Sequence, residues 1–348
     1  MKLSIIIPAY NVEQYIKRTI NSLSVQTKKQ FEIIIVDDGS IDNTLKVIEE
    51  TIIENNLNNC KVIIKKNGGV SSARNEGMRE ASGKYIMFLD GDDYVSIDFM
   101  ENIYKFIDNK ESDIICWGYN NVDENTTTIQ NYFDIYNLKH ESMAGIEALN
   151  NIFYYKNMWI FTGSVVYKKE FLMQYNLKYT EGCANGEDQE FTIKALCRAS
   201  EVVFIDKILS YYVQRETSIS NSYNIKRFDV VAAMKRVYKY IENIGDSKLE
   251  IIYTTIKNEH IVDHYIYNFD YCFSVIYKNC TVKESFYKLY DDIEREYPNL
   301  NKEMISIMKN YKGNNIRMLF KVKIFLISPL MYIRILSLKN KINRIRFL

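Results

Sequence analysis

Three carboxylates, Asp90, Asp92 and Asp93, end the run Tyr85-Ile-Met-Phe-Leu-Asp-Gly-Asp-Asp93 within four positions. Acids packed this closely repel one another and stay ionised together only when a cation shares the site. Hard oxygen donors of this kind suit Mg²⁺ or Mn²⁺, with diphosphate oxygens as further ligands. The stretch therefore implies a divalent metal and a nucleotide. The competing reading is a polar turn that caps a helix starting near Ile97, since Asp-rich turns are common. A second acidic pair, Glu187-Asp188, stands just after Gly186, at the head of a predicted helix that carries Phe191, Lys194, Ala195 and Arg198. There the helix dipole favours negative charge, so capping alone would account for the pair. Arg74, on a helix entered through Gly68 and Gly69, is placed to reach an anion.

These groups need a frame. Leu3-Ser-Ile-Ile-Ile7 is a β-branched run closed by Pro8, the pattern of a strand buried on both faces of a parallel sheet. A helix follows, with Val12, Ile16, Ile20 and Leu23 at helical spacing and Asn11 with Gln14 as its expected cap. Phe31–Val36 is a second strand ending on Asp37-Asp-Gly-Ser40, Lys61–Lys65 a third, and Tyr85–Leu89 the central one. Strand–helix alternation predicts a doubly wound, mostly parallel sheet, whose ligands lie outside the carboxyl ends of the strands. Each acidic group named above falls at such an end or at the start of a helix. Residues 113–119 and 202–212 add strands, whereas periodicity gives out between about 120 and 160. From about Asn224 to Met308 the pattern is helical and rich in Tyr and Lys. His260 and His264 stand four apart there without the acidic motif of a zinc protease, and read as a satisfied or exposed pair.

Charge is unevenly shared. The chain has 348 residues and a net charge of +1, but from Ile305 onward it carries ten Lys or Arg and no Asp or Glu, which leaves the remainder at −9. An acidic body with a basic tail follows. The tail's Phe, Leu, Ile and Met among cations suit a segment lying on a membrane surface, against the alternative of a basic helix packed on the acidic body. No nucleic-acid motif accompanies the charge. Six scattered cysteines, none closer than eight positions to the next, suggest neither zinc nor a disulfide framework. Met1-Lys2 precedes a run too short for a signal sequence, and no stretch approaches the roughly 18 apolar residues of a membrane span. The expected location is cytoplasmic, or peripheral on the inner face of the cell membrane.

Four elements in order, Ile5-Ile-Ile-Pro-Ala-Tyr-Asn11, Val36-Asp-Asp-Gly-Ser40, Asn67-Gly-Gly-Val-Ser-Ser-Ala-Arg-Asn-Glu-Gly77 and Gly83–Asp93, resemble family 2 glycosyltransferases of the GT-A fold. Gly186-Glu-Asp188 extends the resemblance to about residue 220. The resemblance implies a GT-A domain over 1–220, with a nucleotide-sugar half over 1–105 and an acceptor half over 106–220. A helical appendage over 221–304 and the basic tail over 305–348 complete the chain. It also implies a site. Tyr10 lies against a uracil ring between Pro8 and Asn11, and Asp38 accepts from the base's imide N–H. Asp90, Gly91, Asp92 and Asp93 form the metal and diphosphate motif, without fixing which acid touches the ion. Arg74 either faces the diphosphate or braces its loop, and Arg215, with Ser218 and Ser220, closes over the donor. Asp188 is the base that takes the acceptor proton, with Glu187 beside it.

The implied reaction is inverting transfer of a sugar from a UDP-linked donor to a hydroxyl of a glycan or lipid-linked acceptor in bacterial surface polysaccharide assembly. A sugar-nucleotide nucleotidyltransferase would carry a Gly-rich basic loop after the first strand, where this chain has Pro8-Ala-Tyr-Asn11. A processive synthase would need a Gln-x-x-Arg-Trp segment, and tryptophan stands only at 117 and 159. An inactive binding protein on the same scaffold would not need the acidic constellation to be intact.

Overall fold

The computed structural model describes residues 1–108, 111–139, 141–215, 223–313 and 315–345, with only the backbone course for 339–345. Ser218 and Ser220, and the side chains of the last four basic residues, lie outside that description. The chain forms two compact units, Met1–Glu216 and Thr217–Leu348.

The first unit is a sheet with helices on its faces. Its strands are β1 (Leu3–Ala9), β2 (Phe31–Asp37), β3 (Cys60–Ile64), β4 (Tyr85–Phe88), β5 (Tyr94–Val95), β6 (Ile114–Val122), β7 (Thr128–Asn131), β8 (Glu141–Met143), β9 (Val165–Lys168) and β10 (Val202–Val213). They lie in the order β3-β2-β1-β4-β9-β6-β10-β5, with β7 on β6 and β8 on β10. β1 pairs in parallel with both β2 and β4, and all seven of its residues are buried. This is why its sequence reads as an unbroken apolar run rather than an alternation. Pro8 sits inside the strand opposite Val36.

The sheet is mixed rather than wholly parallel, because β9 runs antiparallel to both β4 and β6. Two antiparallel pairings in succession return β6 to the direction of β4, and β10 runs parallel to β6. The carboxyl ends of β1, β2, β3, β4 and β10 therefore open at one pole. Sequence alone hid the reversal, since β9 has only four residues and follows an irregular stretch.

The helix Val70–Glu80 packs on β1 through Gly77, where a Cβ would come within 2.3 Å of Ile6 Cγ2. Only glycine lets the two backbones approach so closely. The first crossover helix starts at Ile16, not at Asn11. Asn11 instead takes a positive φ of 52°, and its Oδ1 accepts from the Ile41 N–H at 3.0 Å. The expected cap is thus a bridge between the loops after β1 and β2. An Asn side chain can satisfy a neighbouring loop as readily as a helix end, and Asn tolerates left-handed backbone.

Among the described residues the second unit's regular elements are all helices. Asp229–Ile244, Ile261–Ile276, Val282–Glu296, Leu300–Met308, Ile316–Ile327 and Pro329–Ile345 are its longer helices. Its core includes Phe228, Tyr265, Phe269, Phe273 and Ile293. The helix before Ile261 passes through a π turn, Ile256–His260, and His264 Nε2 meets His260 Nε2 at 3.0 Å.

Burial pushes the His264 imidazole down to about 4, below the about 6.5 it has in an unfolded chain. Between those values the unfolded chain binds a proton that the folded one does not. The contribution is therefore present above about pH 6.5 and is lost as pH falls toward 4, on the order of 3 kcal/mol if fully realised. The melting temperature of the chain carrying His264→Leu should fall less between pH 7 and pH 5 than that of the unaltered chain. Equal slopes would show that His264 is not the group that titrates.

Candidate active site

Loops from four parallel strands meet at the shared pole, and backbone bonds tie them together. Asp38 N–H donates to Ala9 O (2.9 Å), Lys65 N–H to Asp37 O (3.0 Å) and Leu89 N–H to Ile6 O (2.9 Å). Val12 N–H donates to Thr44 Oγ1 (2.8 Å), joining the β1 and β2 loops a second time. Gly39 has φ +75°, and a Cβ there would stand 2.9 Å from the Asn67 amide. The β2 loop thereby packs directly on the β3 loop. Tyr10, at the end of β1, is 46% exposed and leaves an aromatic face open to solvent.

Asp38 does not face that opening. It is 2% exposed, and its Oδ1 accepts from Lys65 Nζ (2.6 Å) and the Gly68 amide (3.0 Å), its Oδ2 from the Gly69 amide (2.7 Å). Both oxygens are used inside the protein. In these contacts the carboxylate holds the Asn67-Gly-Gly69 turn and the entry to the helix that carries Arg74. Lys65 was not singled out from sequence. Its role depends on a strand-end lysine turning back toward the neighbouring strand, which no local pattern announces.

Beyond β4 the acids separate. Asp90 and Asp92 each give one oxygen to an arginine: Asp90 Oδ1 pairs with Arg74 Nη2 at 2.8 Å and Asp92 Oδ2 with Arg215 Nη2 at 2.6 Å. Asp93 points into the protein. It is 1% exposed, its Oδ1 accepts from the Val213 amide (2.9 Å), and its Oδ2 has no partner among the described residues. Burial, with Asp92 and Asp90 close by, holds its carboxyl well above the usual range. Of the three acids it is the one set to fasten the end of β10 rather than to face solvent. Gly91 between them is buried, and its carbonyl accepts from Thr19 Oγ1 (3.0 Å). Pro8, also buried, approaches Gly91 through its carbonyl.

Arg74 spans the site. The guanidinium is 3% exposed, pairs with Asp90 on one side and with Glu187 Oε1 (3.2 Å) on the other, and lies over the Tyr179 ring at 4.9 Å. Asn75 beside it binds both backbone groups of Tyr179, at 2.9 Å each. The helix after β3 thus fastens the loop that precedes Glu187-Asp188, a long-range clasp that sequence could not show. Of the two roles left open for Arg74, the bracing one is what these contacts make. Arg215 lies over the Tyr15 ring at 4.9 Å, and Arg18 donates to the Asp92 carbonyl (3.3 Å).

Glu187 and Asp188 open the helix Glu187–Leu196 behind Gly186. Burial pushes the Glu187 carboxyl up to about 7, with Asp188 adding to the rise and Arg74 opposing it. Burial also raises Asp188, against the pull of Arg74 and the Gln189 amide. Loss of water outweighs the helix dipole that favours negative charge at these positions.

Five carboxylates therefore share one pole, and three of them pair directly with an arginine, Asp90 and Glu187 with Arg74 and Asp92 with Arg215. Among the described residues no three His, Cys, Asp or Glu side chains converge into a ready-made ion cage. Asp90 and Asp92 nonetheless offer what Mg²⁺ or Mn²⁺ takes in a nucleotide site, one or two carboxylate oxygens with the remaining ligands from phosphate and water. The donor set fits such an ion.

The family model for glycosyl transferase family 2 matches residues 4–175. The chain belongs to glycosyl transferase family 2. Among its relatives is the poly(ribitol-phosphate) beta-N-acetylglucosaminyltransferase TarS of Staphylococcus aureus, 30% identical over 247 residues. That alignment covers 70% of this chain and 41% of TarS, so the chain spans less than half the length of that relative. A crystal structure of TarS 1–349 with UDP-GlcNAc superposes with a TM-score of 0.64 at 22% identity, over 98% of this chain and 89% of that one. The mannosyltransferase PcManGT of Pyrobaculum calidifontis, in complex with GDP-Man and Mn²⁺, superposes with a TM-score of 0.53 at 12% identity, over 94% and 87%. These likenesses establish the glycosyltransferase fold, a mixed sheet flanked by helices and followed by a helical region.

Proposed function

We propose that the chain transfers a sugar from a UDP-linked donor to a hydroxyl of a surface glycan or its lipid-linked precursor, with inversion at the anomeric carbon. The single observation that carries this reading is the Arg74 clasp. It ties Asp90, at the donor end of the pole, to Glu187, beside Asp188, so that a leaving-group acid and a proton acceptor belong to one rigid assembly. TarS, a poly(ribitol-phosphate) beta-N-acetylglucosaminyltransferase whose structure holds UDP-GlcNAc, supports the donor and acceptor classes.

In this reading the base stacks on Tyr10, an aromatic face suited to a flat ring, within walls made by Pro8, Asn11 and the turn that Asp38 holds. The diphosphate lies toward Asp90, Gly91 and Asp92, with Arg215 above it and Asp93 anchoring the strand end behind. Asp90 and Asp92 would hold Mg²⁺ or Mn²⁺, which would neutralise charge on the departing UDP. Asp188, its basicity raised by burial, accepts the acceptor's proton as the oxygen attacks. Glu187 keeps Arg74 in place.

Incubating the full chain with a panel of UDP-sugars and Mn²⁺ should give UDP release with one of them. Release from none, or equal release after chelation, would contradict the reading. Tyr10→Ala should weaken UDP binding by about ten- to a hundredfold, since a base stacked on an aromatic ring is worth about 1–3 kcal/mol. Calorimetry with UDP reads this directly, and an unchanged affinity would remove Tyr10 from the site.

The partner side of the proposal is a membrane surface met by the basic tail over 305–348. Among the described residues no helix is long and apolar enough to cross a bilayer.

A further inference from the structure

The helices Ile316–Ile327 and Pro329–Ile345 bury one face each and leave the other bare. Their inner sides converge on one patch of the helix Ile261–Ile276. Phe325 packs edge-on against Tyr265 and Phe269, while Lys321 Nζ (2.6 Å) and Tyr332 OH both bind Asp270. Val322, Ile324, Ile333 and Ser337 complete that buried side. The side turned away carries Ile316, Phe320 and Ile327 on the first helix, exposed by 82%, 62% and 73%. Met331, Ile335 and Leu338 are exposed on the second. Spacings of four and seven residues align the first set, and of four and three the second, so each forms a stripe along its helix. Exposed Arg317, Lys323 and Arg334 lie along the same stripes. From Ile305 onward the sequence has no acid at all.

We propose that this two-helix outer face is the surface by which the chain docks on an anionic lipid bilayer, with the helices lying in its plane. The inference rests on the membrane reading of the tail given above and names the surface that performs it. A row of large apolar side chains in water is costly, and interleaved cations without acids match a surface that is apolar below and negative at its rim. Spanning is excluded by geometry. Twelve and seventeen residues make helices of about 18 and 26 Å, each short of a hydrocarbon core of about 30 Å, and Ser328-Pro329 breaks them apart. A second copy of the chain is a poorer occupant, because a twofold contact through this face would set Arg317, Lys323 and Arg334 against a surface equally cationic and equally without acids. Nucleic acid would leave the aliphatic stripe unmatched, since its recognition uses stacking and phosphate contacts.

The test is sedimentation of the full chain with phosphatidylcholine vesicles, with and without about 30 mol % phosphatidylglycerol, at roughly physiological salt. Three proteins are compared: the unaltered chain, Phe320→Ser with Ile327→Ser, and Arg317→Glu with Lys323→Glu. All four positions are exposed, so the helical circular dichroism should be unchanged. The unaltered chain should bind only the anionic vesicles, and each variant should lose binding by on the order of tenfold or more. If the unaltered chain binds anionic vesicles and both variants bind equally well, the face is wrong while the membrane reading of the tail stands. If the unaltered chain binds no vesicle, or binds as well once truncated after Ser306, that underlying reading itself fails. Equal binding to neutral vesicles would overturn the lipid chemistry. A dimer that the serine variant dissociates, seen by light scattering, would assign the face to a second copy instead.

Discussion

Asp188→Asn should lower sugar transfer by roughly 10²–10⁴-fold, the usual worth of a general base, while leaving UDP affinity within a factor of about two. The substitution keeps the size of the side chain and its ability to accept from the Gln189 amide, which the aspartate does at 2.7 Å. What it removes is a carboxylate that burial has made more basic than an exposed one. Two companions separate base from brace. Glu187→Gln weakens the contact with Arg74, and should lower transfer less than Asp188→Asn while loosening the loop around Tyr179. The acid limb of the rate profile should lie above the ordinary carboxylate range, because Asp188 must be ionised to work and its proton is held more tightly than usual. A rate that falls only below about pH 4, the value of an unperturbed Asp, would contradict the assignment. If Glu187→Gln is inactive and Asp188→Asn is not, the two roles are exchanged.

Asp92→Asn should cut transfer by roughly 10²–10³-fold, the typical cost of losing one electrostatic stabiliser of a developing anion. Activity should also need more Mn²⁺ to reach its plateau. Asp92 is the acid held by a single arginine that no second carboxylate pairs with among the contacts described above. Arg215, which pairs with it at 2.6 Å and lies over Tyr15, stands two residues past the end of β10, whereas Arg74 on Asp90 is held between two carboxylates and a ring. Thermal stability should change little, since the loss of a partly exposed pair is a small effect beside the core. Asp93→Asn gives a contrasting readout. Its carboxylate holds the Val213 amide in a buried setting, so its main effect should be on melting temperature rather than on the Mn²⁺ requirement. Equal Mn²⁺ curves for the unaltered chain and Asp92→Asn would remove Asp92 from the metal reading.

The donor half was legible in the sequence because parallel strands buried on both faces must be apolar throughout, and β1, β2 and β4 are. Their ends could be located to within two residues, and with them the loops that carry Tyr10, Asp38 and Asp90–Asp93. The start of the helix at Glu187 was equally plain, with three acids in its first turn. What sequence could not supply was direction and partnership. β9 is short and reversed, and nothing in Val165–Lys168 states its orientation. Asp38 sits at a strand end like any ligand-facing acid, yet two glycine amides and Lys65 claim its oxygens from thirty residues away. The link from Arg74 to Glu187 crosses 113 positions. In the second unit helicity was readable from periodicity. The fact that the tail's two helices share Asp270 and turn their remaining apolar residues outward was not.

The central claim is inversion at the anomeric carbon of a UDP-sugar, and with an α-linked donor the anomer first released tests it most directly. The 348-residue chain with Mn²⁺ and the donor it accepts, followed by proton NMR during slow hydrolysis, reads that anomer before mutarotation scrambles it. The account predicts that the β-anomer forms first and that Asp188→Asn suppresses its formation. First release of the α-anomer, or β-anomer formed at an undiminished rate by Asp188→Asn, would contradict it.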